Sequence, residues 1–156
     1  MLKKEKLPIF TKKYNMTAFN HKLLDEISGR ISDVEVLNIL RTQKIDWNYV
    51  AIIKEYTNLK DDLISDWLNI SVKTFRNYKS NQEVVLRENT QEHVVLLISL
   101  FKHGIEVFGT QKDFDKWLTT NNLYLDNDTP MNYLKTISGI RLIEDRLTAI
   151  EYGDNV

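Results

Sequence analysis

Three histidines and two adjacent acidic pairs are the side chains here that could move a proton or hold a metal: His21, His93, His103, Asp61 with Asp62, and Glu144 with Asp145. Their spacing argues against both uses. His93 and His103 are ten residues apart, nearly three helical turns at about 3.6 residues per turn, and too far to share a ligand. Neighbouring carboxylates on a helix diverge by about 100°, so neither acidic pair converges on one site. Each histidine therefore reads as a surface or internally satisfied side chain. The chain has no cysteine, which removes thiolate nucleophiles, disulfides and the common zinc-finger ligand sets. No metal site, no cofactor and no catalysis by this chain are expected. What remains is the chemistry of contact, concentrated in the polar row Lys73, Thr74, Arg76, Asn77 and Lys79.

The elements that must position that row read as helices. At 156 residues, with 42% hydrophobic and 28% charged side chains, the chain has the length and balance of an ordinary soluble domain with a real core. No apolar run approaches the roughly 20 residues that span a bilayer. The start, Met1 to Lys6, lacks the apolar stretch of a secretory signal. A cytoplasmic protein with no membrane partner is the expectation. Charge is uneven: residues 1–22 carry +5 and residues 91–156 carry −4. A basic, flexible arm over 1–22 and an acidic C-terminal part suggest separate partners for the two ends.

From residue 23 the apolar spacing is helical. Leu23, Leu24 and Ile27 begin one helix, and Val34, Leu37 and Leu40 form the apolar face of a second. Asp46 can cap a third, in which Trp47, Val50, Ile53 and Tyr56 share a side. Residues 61–78 carry the tightest pattern. Leu63, Ile64, Trp67 and Leu68 make an amphipathic helix, Asn69 and Ile70 a short turn, and Ser71 the N-cap of a second helix. Two short helices joined this way have helix-turn-helix geometry, in which the second helix enters the major groove. Ile64, Leu68, Ile70 and Phe75 would lock the pair. Ser71, Lys73, Thr74, Arg76, Asn77 and Lys79 would face phosphates and base edges. An αα-hairpin with a merely solvated second helix fits the same pattern. With three cations on that helix a single copy binds DNA weakly, so dimerisation or the basic arm is needed.

Beyond a polar connection over 80–90, Val94, Ile98, Phe101, Ile105 and Phe108 form one apolar seam on a long helix that ends at Gly109, a residue suited to a left-handed cap. Thr110 with Asp113 starts the next helix, whose buried face is Phe114, Trp117 and Leu118. In the polar loop that follows, Leu123, Tyr124 and Leu125 must either bury or meet a partner. Thr129 and Pro130 start a short helix over 131–134. Ser138 begins the last helix, lined inside by Ile140, Ile143, Leu147 and Ile150, with Arg141 pairing with Asp145 and Gly153 as the stop. The fold class is all-α.

The order of Val107-Phe108-Gly109, Trp117-Leu118, Leu125 to Pro130 with Leu134, Ser138-Gly139 to Asp145, and Ile150 to Gly153 resembles the toxin-binding domain of Xre/MbcA/ParS-type antitoxins. Residues 47–56, 63–68 and 70–75 resemble the Xre-like helix-turn-helix of the same family, so the likeness covers roughly 34–153. It implies a helix-turn-helix domain over 23–90 and, over 91–156, a long connecting helix with a small helical toxin-binding domain. It implies an antitoxin of a type II toxin–antitoxin system. That antitoxin sterically blocks the cleft of an NAD-consuming RES-domain toxin and binds its own promoter DNA as autoregulator. A homodimer, or a larger hetero-oligomer with the toxin, goes with that role. The positions carried over for toxin contact are Trp117, Thr129, Pro130, Leu134, Gly139, Ile150, Glu151, Tyr152 and Gly153, joined by Leu123 and Tyr124 of the exposed loop. Trp117, Pro130 and Leu134 also read as shapers of the domain. The acidic balance of 91–156 would steer it towards a cleft made basic by its phosphate-bearing cofactor. The other reading is a stand-alone helix-turn-helix transcription regulator whose C-terminal domain senses something else.

Overall fold

The computed structural model describes residues 18–57 and 59–156. Most of the expected basic arm lies outside the described residues, as does the side chain of His21. Among the described residues the chain forms eight α-helices: α1 (Ala18–Asp25), α2 (Asp33–Thr42), α3 (Trp47–Thr57), α4 (Asp61–Trp67), α5 (Val72–Ser80), α6 (Glu88–Phe108), α7 (Gln111–Leu118) and α8 (Ile137–Glu151). Two short 3-10 helices, Leu123–Leu125 and Pro130–Tyr133, lie between α7 and α8. The β pairing among these residues is a single bridge between Asn122 and Asp128. The all-α expectation holds.

Helix starts follow local side-chain chemistry. Ser32 caps α2 in a reciprocal box with Glu35, and Asp46 Oδ1 accepts the Asn48 amide at the start of α3. Ser71 accepts the Thr74 amide at the start of α5, and Thr110 accepts that of Asp113 at the start of α7. Each cap satisfies a donor the helix cannot. Gly109 ends α6 in the left-handed region at φ 81°, and Gly153 follows α8 at φ 99°.

The centre of the fold is α6. The sequence seam Val94, Ile98, Phe101 and Ile105 is buried, but so are Val95, Leu96, Leu97 and Leu100 from its other sides. The helix packs against α2 and α3 from the N-terminal part, and against α7 and α8 from the C-terminal part. α6 thus shares its core contacts between the elements before and after it. Phe101, Phe114, Phe108 and Trp117 form an aromatic chain along the α6–α7 contact, with centroids 5.4 to 6.0 Å apart. Gly104 makes this possible, because a Cβ there would overlap the Phe114 ring.

Four local expectations are corrected. On α2 the helix is present but its face is turned: Val36 and Ile39 are buried, whereas Val34 and Leu37 are 77% and 66% exposed. Tertiary burial against α6 chose the other stripe. The turn starting at Pro130 is a 3-10 helix, and the Thr129 side chain does not cap it; Asp128 Oδ1 instead accepts from the Thr129 amide at 2.7 Å and from Asn132 at 2.6 Å. The cap of α8 is Thr136, whose hydroxyl accepts the Gly139 amide at 2.9 Å, so the helix starts before Ser138. Arg141 pairs with Asp33 and donates to the Ile31 carbonyl at 2.9 Å, not with Asp145. A carboxylate and a carbonyl brought close by tertiary packing outcompete a solvated helical neighbour.

The two glycines of the C-terminal part should respond differently to alanine. At Gly139 a Cβ would overlap the carbonyl oxygen of Tyr133, which is backbone and cannot rotate away. At Gly109 nothing lies within reach and the cost is the left-handed φ alone. In denaturant unfolding Gly109→Ala should cost about 1–2 kcal/mol, and Gly139→Ala about 3 kcal/mol or more. Equal losses would contradict this packing.

Candidate functional site

Two surfaces carry the residues singled out in the sequence. The first is built where the loop after α7 meets the chain beyond α8. Asn122 folds that loop: its backbone pairs with Asp128 and its side chain accepts the Tyr124 amide at 2.9 Å. Asp126 and Asn127 turn the chain through the left-handed region, which short polar side chains tolerate. Leu125 is thereby buried, while Leu123 is left 86% exposed and Tyr124 half exposed. Arg146 of α8 then joins loop to tail. Its guanidinium lies 3.7 Å from the Tyr124 ring centroid, donates to Asp154 Oδ2 at 2.6 Å and also donates to the Asn155 carbonyl. Arg146 holds the Asp154 carboxyl below the usual range by hydrogen bonding to it, aided by the Asn155 amide. Val156 ends beside Phe108 and Trp117, at the edge of a cavity of about 410 Å³.

The expected contact positions divide cleanly. Trp117, Pro130, Leu134 and Gly139 are buried, and Ile150 packs half-buried on the core. They shape the surface from below. Thr129 is half-buried, and Leu123, Tyr124, Glu151, Tyr152 and Gly153 are exposed. Arg146 has no local sequence signal, since its partners lie 8, 9 and 22 residues away.

The end of α8 is also latched to the core. His103 is buried in α6, with Nδ1 2.5 Å from Glu144 Oε1 and Nε2 3.1 Å from Glu151 Oε2. Arg30, in the α1–α2 connection, reaches the same Glu151 carboxylate at 3.2 Å and donates to the Tyr152 hydroxyl at 3.4 Å. Burial alone would lower the imidazole pKa, but hydrogen bonds and charge from Glu144 and Glu151 outweigh it and raise the pKa above 6.5. His93 is the opposite case: buried beside the Leu134 carbonyl, its pKa is lowered by desolvation. Both are the internally satisfied histidines expected from their spacing, although His103 is more than passive filling. It ties the segment carrying Glu151 and Tyr152 to the protein's centre.

The second surface is the outer side of α5. The turn from α4 runs through Asn69 in the left-handed region at φ 53°, so asparagine does what glycine often does there. Ile64, Leu68 and Phe75 are buried and Ile70 is half-buried, the expected lock. Lys73, Arg76 and Asn77 face outward, and Thr74 is half-buried. Ser71 is engaged in capping. Lys79 reaches back to Asp61 at 3.5 Å, where Lys54 also binds. Alongside α5 runs an open groove of about 1000 Å³ bordered by Lys73, Arg76, Asn77, Val85 and Arg87. Arg87 is a cation of this face that lies outside the helix-turn-helix pattern.

Of these two surfaces, one is apolar with an arginine at its centre and the other is polar and cationic. Residues 103–153, from the C-terminal part of α6 to the end of α8, match the family model described as antitoxin Xre/MbcA/ParS C-terminal toxin-binding domain. The match takes in about a third of the chain, includes Arg146 and the 122–128 loop but not the tail residues 154–156, and supports an antitoxin role with a toxin as partner. No curated protein matches the chain. No single helix among the described residues is long and apolar enough to cross a membrane.

The His103 latch has a pH signature. A histidine whose pKa is raised on folding contributes stability that is fully present below its unfolded value, near 6.5, and is lost as pH rises through the folded value. Asp115, whose carboxyl burial pushes up to about 6, completes most of its own change below that window. Unfolding free energy should therefore fall as pH rises above about 6.5, and His103→Gln should flatten that slope. An unaltered slope in the variant would remove His103 as its source.

Proposed function

We propose that this chain is the antitoxin of a type II toxin–antitoxin pair, docking on a RES-type, NAD-consuming toxin and obstructing its cleft. The observation that carries this reading is the coincidence of two things. The toxin-binding match falls on residues 103–153, and within it the structure leaves Leu123, Tyr124 and Tyr152 exposed, with Tyr124 stacked on the Arg146 that also holds the tail. A buried scaffold that presents exposed aromatic and apolar side chains fits a preformed binding surface, because little conformational freedom remains to be lost on docking. The inhibitory act is steric: occupying the cleft needs shape and order from the antitoxin, and no reactive group. The acidic side chains Asp126, Asp128 and Asp145 are exposed on the same part of the chain and would speed approach to a basic cleft.

The outer face of α5 supports the second half of the role, binding of the promoter from which the pair is expressed. Lys73 and Arg76 form no ion pair among the described residues and are free to neutralise phosphates. Two unpaired cations on α5, with Arg87 beside it, give weak binding per copy, so two or more copies on one operator are part of the proposal.

Removing residues 110–156 would strip α6 of its α7 and α8 cover, so the test uses surface substitutions in the whole chain. Co-expressed with the product of an adjacent RES-type gene, the wild-type protein should rescue growth and co-purify with it. Leu123→Asp and Arg146→Ala should each weaken the complex at least 30-fold, about 2 kcal/mol for a central interface residue, and reduce rescue. Rescue at wild-type level by both variants would place the interface elsewhere. Lys73→Ala with Arg76→Ala should leave rescue intact, lower affinity for the upstream DNA, and reduce its log–log salt slope by about two.

A further inference from the structure

A cavity of about 300 Å³ lies where the α4–α5 turn meets the starts of α6 and α8, bordered by Asn69, Ile70, Arg87, Thr90, His93 and Lys135. The side chain of Arg87, the N-cap of α6, makes no capping hydrogen bond. The first amides of a 21-residue helix therefore lie beside this cavity without a side-chain acceptor from the N-cap. The acidic residue of that first turn, Glu88, borders a different cavity, with Leu37 and Glu92.

A second observation points to a ligand. Thr90 is only 4% exposed, borders the cavity, and its hydroxyl forms no hydrogen bond among the described residues. Among the described residues the Thr90 hydroxyl is thus left without a protein partner at a polar opening, where the oxygen of a ligand can match it. The charges around it are mainly positive. Arg87 forms no ion pair among the described residues, and Lys135 stands at the rim with one counter-charge, Asp66, 2.8 Å away. His93 donates Nε2–H to the Leu134 carbonyl at 2.7 Å and forms part of the wall. Asn69 Nδ2 donates to the Lys135 carbonyl at 2.6 Å, closing the cavity between the two parts of the chain.

We propose that this junction binds a phosphate group. The first amides of α6 and the Thr90 hydroxyl donate to its oxygens, and Arg87 and Lys135 supply the charge. Arg87 also borders the groove beside α5, so the phosphate is one from the backbone of DNA bound along α5. That source rests on the promoter-binding reading, whereas the phosphate site itself does not.

The test has two arms, both on the full chain. In the first, amide NMR follows a titration with sodium phosphate against sodium chloride at equal ionic strength. The amides of residues 88–90 should shift saturably with phosphate, and the shifts should vanish in Arg87→Gln and in the near-isosteric Thr90→Val. Shifts no larger than elsewhere on the surface, or persisting in both variants, would overturn the site. In the second arm a short duplex from the upstream DNA is titrated at several salt concentrations. Arg87→Gln should lower the log–log salt slope by about one. An unchanged slope, with the wild type binding normally, would overturn the backbone source and leave the cavity to free phosphate compounds. No duplex binding by the wild type, with a positive phosphate titration, would sink the promoter reading while the cavity stands.

Discussion

Burial of α6 on nearly every side is the constraint from which the arrangement of the other helices follows. An apolar helix can be covered by many neighbours, but α6 also carries Ser99 and His103 into the interior and the half-buried Lys102 to its edge, and such polar groups demand particular partners. Ser99 donates to the Ser28 carbonyl at 2.6 Å and accepts the Ile31 amide at 3.0 Å. Lys102 donates to the carbonyls of Leu24 and Ile27 at 3.2 and 2.9 Å, satisfying the end of α1. His103 takes the two carboxylates of α8. Apolar contact makes α6 the core, and these three side chains decide where the α1–α2 connection and α8 are placed on it.

The two candidate surfaces inherit that placement. The outer face of α5 stands on α4, whose turn is joined through Asn69 and Asp66 to Lys135, just ahead of α8. The loop and tail that meet at Arg146 stand on α7 and α8, which α6 holds from beneath. Neither surface sits on a separately tethered module. The protein presents two preformed faces on one packed body, which limits the ordering cost of binding at each. The same connections give the turn next to the cationic face and the helix next to the apolar face a shared residue, Lys135.

Much of this could be read along the chain. Ser71, Thr110, Gly109 and Gly153 act as expected because a cap is a bargain struck within three or four residues. The buried faces Phe114, Trp117 and Leu118, and Ile140, Ile143 and Leu147, were legible for the same reason, as was the lock of Ile64, Leu68 and Phe75. Failures came where local options were nearly equal. Val34, Leu37 and Leu40 make as good a stripe as Val36 and Ile39, and only contact with α6 selects between them. Thr136 and Ser138 are both cap residues, and the fit of Gly139 under the Tyr133 carbonyl favours the earlier one.

Sequence by itself determined the α-helices, most of their ends, the helix-turn-helix pattern and the segment that carries the toxin-binding likeness, because all of these depend on periodicity and neighbours close in the chain. Tertiary structure alone decided which polar and charged side chains stand together. Arg146 meeting Tyr124 and Asp154, His103 meeting Glu144 and Glu151, Arg30 meeting Tyr152, and Arg87 standing between two cavities all bring together residues from different elements. Such meetings leave no period or motif behind, since each residue is an ordinary solvated side chain in its own stretch. Their effect depends on distance in space, which packing around α6 sets.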